Sequence, residues 1–190
     1  MTEVGKKINS EMENPIDTLI IDYICEPVSN VLRTTSKKIT PNMITSVGMI
    51  IGLLCIYYMY EGYYKVSFML YWLCYIFDCL DGYYARKYNM ITRFGDYFDH
   101  FRDIFINIVV IALVFKKTKN KHIYVISLII ILIGLLTHFG AQELNTTSPE
   151  HNECLKMLTP LCKHKDYIEY TRYMGNGTFI LVISMFILKL

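Results

Sequence analysis

The chain has 190 residues, 53% of them hydrophobic and 14% aromatic, with a formal net charge of +2. A mean hydropathy of +0.30 is too apolar for a soluble domain of this size. So small a charge leaves no electrostatic footprint for nucleic acid, and six cysteines without ligand-like spacing argue against zinc or a disulfide framework.

Residues 1–15 read as a flexible lead with no apolar core of the kind a signal peptide carries. From Ile16 the apolar positions Leu19, Ile20, Tyr23, Ile24, Val28 and Val31 follow helical spacing, with Asp17, Asp22, Glu26 and Asn30 between them. That pattern predicts an amphipathic helix over 16–38, bent near Pro27 and lying in the membrane interface. Thr40 then Pro41 form a helix opening, N-cap followed by a first position where a missing N–H does no harm.

Apolar blocks follow at Met43–Tyr60, Val66–Tyr84, Phe98–Phe115, Ile123–Ala141 and Met174–Leu190. A crossing takes roughly 20 helical residues, so the predicted fold is an all-α integral membrane protein with about five transmembrane helices after the interfacial one. Residues 40–190 then form one transmembrane domain, interrupted by a polar segment over 143–172 that contains "ECLKMLTPLC". With the N-terminus inside, most Lys and Arg fall on the cytosolic side, the exceptions being Lys65, the "KKTKNK" run and Lys189. The sequons at Asn145 and Asn176 fall on or near that face and are read as unused.

The informative stretch is "DCLDGYYARKYNMITRFGDYFDHFRD", residues 78–103. On one helix Asp78, Asp81, Gly82 and Ala85 share a face, and on the next Gly95, Asp99 and Asp103 stack four apart. Only residues 87–94 separate Arg86 from Gly95, so the two helices are antiparallel neighbours and four carboxylates can converge near the cytosolic surface. Charges at such range repel strongly in a low dielectric. Either some are protonated or divalent cations sit among them, and an all-oxygen ligand set suits Mg²⁺, Mn²⁺ or Ca²⁺. Gly82, Ala85 and Gly95 leave room beside the carboxylates, and Arg86 stands where a guanidinium could hold a phosphate. Asp96 lies off the stripe and reads as a solvated residue.

Asp78-x-x-Asp81-Gly82-x-x-Ala85-Arg86, residues 87–94, then Gly95-x-x-x-Asp99-x-x-x-Asp103 resembles the signature of the CDP-alcohol phosphatidyltransferases. "TPNMIT" is similar to that family's first-helix entry. The resemblance implies a membrane enzyme of phospholipid synthesis that joins the phospho-linked group of a CDP-linked donor to an alcohol, releasing CMP. It implies two ions, Mg²⁺ or Mn²⁺, held by Asp78, Asp81, Asp99 and Asp103, with Asp103 also taking the proton of the attacking hydroxyl. Gly82, Ala85, Arg86 and Gly95 would line the nucleotide pocket.

The donor stays open at this level. His100 after Asp99 resembles the branch that passes CDP-choline or CDP-ethanolamine headgroups to diacylglycerol, while "ARKYNMITRFG" is equally like the branch using CDP-diacylglycerol and a polar alcohol. Arg102, His100 and Arg172 are the acceptor-site candidates, with Lys165 a weaker one; Arg102 and Arg86 are expected at the mouth. Expected partners are the donor, the alcohol or diacylglycerol acceptor and the bilayer; a homodimer is an arrangement the reading allows. Family members usually have six spans or more, against five here. The competing readings are a metal-dependent carrier or channel and an inactive truncated relative.

Overall fold

The computed structural model of the protein describes residues 5, 11–145, 158–162 and 164–190, the side chain of Lys165 excepted. Most of the expected lead, and Cys154, Lys156 and Lys163 of the polar segment, lie outside the described residues. Among those described, every regular element is helical. We label α1 (Pro15–Ile20), α2 (Glu26–Thr35), α3 (Pro41–Glu61), α4 (Tyr64–Lys87), α5 (Arg93–Lys117), α6 (Lys121–Asn145), α7 (Ile168–Thr171) and α8 (Asn176–Leu188).

The chain enters α1 through Asn14, whose side chain accepts the Ile16 N–H ahead of Pro15. Helical structure continues without a break to Thr35, but Ile21–Cys25 is wound as a π-helix. There the Glu26 N–H bonds to the Ile21 carbonyl. Pro27 has no N–H to give, so the backbone loosens by one residue just before it. The sequence predicts a bend near Pro27; what the structure places just ahead of it is this wider winding.

Thr40 caps α3, accepting from the Met43 N–H, and Gly62 ends it at φ 91°. A left-handed residue there is what lets the chain reverse tightly into α4. Among the described residues, three helical stretches are long and apolar enough to cross a membrane: Pro41–Glu61, Lys121–Asn145, and Ile168–Leu188, which takes in α7 and α8. α4 and α5 have 24 and 25 residues, about 36 Å of helix each, but their charged ends lower their hydropathy.

α3 packs along both α4 and α5, and glycines make the approach possible. A Cβ at Gly48 would stand 3.2 Å from Phe77 Cβ, and one at Gly52 2.7 Å from Ile106 Cδ1. Small residues four apart allow helices to close on each other in this way. α8 packs on α4 and α6, while the segment from α1 to α2 lies against α4. α1 also meets α8, where a Cβ on Gly177 would come within 2.6 Å of Ile16 Cβ.

The backbones of α4 and α5 scarcely approach each other, and α5 and α6 meet only briefly. That spacing leaves a cavity of about 560 Å³ between the N-terminal helix, α4, α5, α6 and α8. Outward faces are apolar on all the long helices: Ile50 and Leu53 on α3, Met69 on α4, Phe101 and Phe105 on α5, Ile126 and Ile133 on α6 are exposed.

Candidate active site

Thr92 begins the site. Its hydroxyl accepts the Gly95 N–H at 3.1 Å and starts α5 at Arg93, a turn before the apolar block. Gly95 lets α5 sit close to α3: a Cβ there would lie 2.8 Å from Asn42 Oδ1 and push that side chain aside. Asp99 and Asp103 follow at one-turn intervals and face Asp78 and Asp81 of α4 across the gap between the helices.

The four carboxylates converge on Arg102. Its guanidinium is fully buried, pairing with Asp81 at 2.9 Å, Asp99 at 2.7 Å and Asp103 at 2.7 Å, and with Asp78 by a direct contact of Nη2 on Oδ1. Arg102 Nε also donates to Asp103 Oδ1 at 3.1 Å. The expectation that Arg102 stands at the mouth is therefore corrected. Its position belongs to the buried stripe Arg102, Ile106, Val110 and Val114 of α5, so it points into the bundle rather than to water. Accessibility rises across the set, from 3% for the Asp81 side chain to 36% for Asp103, so Asp103 is the carboxylate most open to the cavity.

Asp78, Asp99 and Asp103 can each present a carboxylate oxygen within 4.8 Å of the other two, a grouping that could hold a metal ion. The donor set fits a hard divalent cation. Asp99 Oδ1 is buried without a hydrogen-bond partner, although Arg102 Nη2 lies 2.7 Å away. An oxygen in that condition is one that a cation would satisfy.

Gly82, Ala85, Arg86 and Gly95 line a single cleft of about 90 Å³, together with Asp81, Asp99 and residues from the start of α3. A Cβ on Gly82 would meet Arg86 Nη1 at 3.2 Å, so the glycine makes the seat in which the guanidinium rests. Arg86 Nε donates to the Gly5 carbonyl at 2.9 Å. Asp78, Asp99, His100 and Asp103 border the larger cavity. His100 Nδ1 lies 2.8 Å from the Asp96 carbonyl oxygen, so Asp96 supports His100 as well as facing solvent. Arg172 does not line that cavity; its guanidinium donates to the Glu11 carbonyl.

The sequence reading missed a second polar group on the cavity wall. Tyr75 OH donates to Asp17 Oδ1, and Gln142 Nε2 donates to Glu13 Oε1 at 2.8 Å. Asp17, read as a polar position of an interfacial helix, is buried. Burial, and then the neighbouring Glu13 carboxylate, push its pKa up to about 7. Asn14 Nδ2 donates to the Arg172 carbonyl at 2.7 Å and Thr178 Oγ1 at 3.0 Å, so the α1 cap also fastens the chain's two ends. Asn14-Pro15 was the available signal, since Asn before Pro is a helix opening.

Together these features define a helical membrane protein with a half-buried carboxylate cluster fit for a divalent cation. The sequence profile of the CDP-alcohol phosphatidyltransferases matches residues 38–161, and the chain belongs to that family. It is 41% identical over 58 residues to a CDP-diacylglycerol–glycerol-3-phosphate 3-phosphatidyltransferase of Rickettsia felis, covering 30% of this chain and 32% of the relative. A Rickettsia typhi protein of the same name is 40% identical over 58 residues, covering 30% and 33%. The matched stretch is thus about a third of the length of these curated relatives. No solved structure matches the chain significantly.

Proposed function

We propose that the protein transfers a phosphatidyl group from CDP-diacylglycerol to a small alcohol, releasing CMP. The observation that carries this reading is the adjacency of two spaces at one carboxylate cluster. The small-residue cleft of Gly82, Ala85 and Gly95 with Arg86 opens beside it. The 560 Å³ cavity, apolar toward α6, adjoins that cleft and shares Gly82, Arg86 and Asp99 with it. A travelling cation would need neither. The names of the Rickettsia relatives favour CDP-diacylglycerol over a CDP-headgroup donor.

In this reading Arg86 holds a phosphate of the nucleotide bidentately, and the diacyl chains stay in the larger cavity or the lipid beside it. Asp103 accepts the proton of the acceptor hydroxyl. The alcohol oxygen then bonds to the phosphatidyl phosphorus, the bond to the bridging oxygen breaks, and CMP leaves with that oxygen. Mg²⁺ or Mn²⁺, as a pair of ions among Asp78, Asp81, Asp99 and Asp103, would neutralise the pyrophosphate and stabilise the departing CMP. Of the acceptor candidates, His100 borders the cavity and is the one we assign to orienting the alcohol.

We also read α4 and α5 as spans, giving five crossings, because their outward faces expose Met69, Leu73, Phe101 and Phe105. The charged ends of α4 and α5 sit at the cytosolic interface. At their other ends, exposed Tyr57, Tyr60 and Tyr63 form an aromatic belt of the kind found at a headgroup layer. The helical segment over 15–35 rests in the cytosolic interface. Glycan on Asn145 in a eukaryotic host would contradict this topology.

Nucleotide binding tests the function without turnover. With Mn²⁺ present, CMP should raise the melting temperature of the solubilised protein, because a ligand that binds only the folded state stabilises it by RT ln(1 + [L]/Kd). EDTA should remove the CMP effect. A cation carrier would show stabilisation by Mn²⁺ and none by CMP.

A further inference from the structure

We propose that Arg102 is a built-in counter-cation that holds the aspartates together without metal, and that a divalent ion binds only by displacing it. The inference rests on reading the aspartates as a divalent-cation site. One nitrogen, Nη2, touches Oδ1 of Asp78 and lies 2.7 Å from Oδ1 of Asp99 and 2.7 Å from Oδ1 of Asp103. Those are the three residues whose grouping could hold an ion. The nitrogen therefore occupies the position that an ion bound by the same oxygens would take. Nη1 is engaged as well, at 2.9 Å from Asp81 Oδ2.

The charge balance gives the displacement a direction. One guanidinium cannot neutralise four carboxylates, and it cannot leave by losing its proton. A pair of divalent ions balances four carboxylates without it. Such ions approach oxygen more closely, at about 2.0–2.1 Å for Mg²⁺. The fold makes room for the guanidinium rather than merely tolerating it: a Cβ on Gly48 would lie 3.2 Å from Nη1. The burial of Arg102 on the same stripe as Ile106, Val110 and Val114 fixes its direction toward α3 and α4. Asp99 Oδ1, ion-paired but without a hydrogen bond, is the contact the guanidinium meets least well and the one an ion would take first.

Mn²⁺ titration tests the proposal, with the electron paramagnetic resonance signal of the free ion as readout. The full chain is titrated in detergent, with no nucleotide or lipid donor added. Arg102→Gln should bind Mn²⁺ about tenfold or more tightly than wild type, because a competing positive charge has gone. Arg102→Lys keeps the charge but cannot reach all four carboxylates, and should fall between the two. In EDTA the Gln variant should melt below wild type, and saturating Mn²⁺ should close that gap. Equal or weaker Mn²⁺ affinity in Arg102→Gln overturns the proposal. If that variant does not fold in EDTA, Arg102→Lys carries the same test, and affinity no higher than wild type overturns it. CMP release by the wild-type chain is read separately. An active wild type with unchanged Mn²⁺ affinity in the variants removes the counter-cation role and leaves the catalytic reading standing.

Discussion

Asp103→Asn should lower turnover by about 10²–10⁴-fold, the usual contribution of a positioned general base, while CMP affinity stays within about a few-fold of wild type. Asp103 is the most exposed of the four carboxylates and borders the large cavity, so an acceptor hydroxyl can reach it. Its neighbours hold the metal-free cluster when it changes: Arg102 keeps its pairings with Asp78, Asp81 and Asp99. The contrast variant is Asp78→Asn. Asp78 shares with Asp103 the grouping that could hold an ion but is the more enclosed of the two, so its loss should weaken Mn²⁺ and CMP binding together. Single-turnover rates and calorimetric CMP titration on the two proteins separate the roles. Equal loss of CMP affinity in both would reduce Asp103 to a ligand.

Gly82→Leu should weaken CMP binding by about ten- to hundredfold while the protein still inserts and folds. The first side-chain atom at position 82 already meets Arg86 Nη1 at 3.2 Å, so a leucine drives the guanidinium off its seat. The remaining atoms enter a cleft of about 90 Å³, and filling a shaped space costs about 1–3 kcal/mol. Leucine is well accepted in a membrane helix, and Gly82 lies on the cleft side of α4 rather than against α3. Calorimetry with CMP and Mn²⁺ reads the affinity, and circular dichroism checks the helix content. Wild-type CMP affinity in Gly82→Leu would place the nucleotide elsewhere.

How far the sequence exposes this site depends on how local each feature is. The convergence of Asp78, Asp81, Asp99 and Asp103 follows from spacings of three and four on two helices joined by a short turn, and the structure brings these residues together. Thr40-Pro41 is equally local, and the helix opens there as expected. Arg102 was misplaced because its immediate neighbour is a proposed ligand and its charge fits the positive side of a membrane. The competing signal was its four-residue register with Ile106, Val110 and Val114, which puts it on the packed face. Asp17 was beyond local reasoning. Its burial depends on Gly177 letting α8 close on α1 and on Tyr75 from α4, contacts between parts of the chain far apart in sequence. The close approach of α3 rests on Gly48 and Gly52, and no periodic argument says which helix such a pair faces.

Transfer itself tests the central claim most directly. The purified chain is incubated in mixed micelles with Mn²⁺, CDP-diacylglycerol labelled in its lipid part, and a panel of small alcohols that includes glycerol 3-phosphate. The account predicts CMP and a labelled phospholipid in equal amounts with at least one acceptor, abolished by EDTA and restored by Mn²⁺. It would be contradicted by full activity after exhaustive chelation, or by no CMP release with any acceptor from protein that binds Mn²⁺.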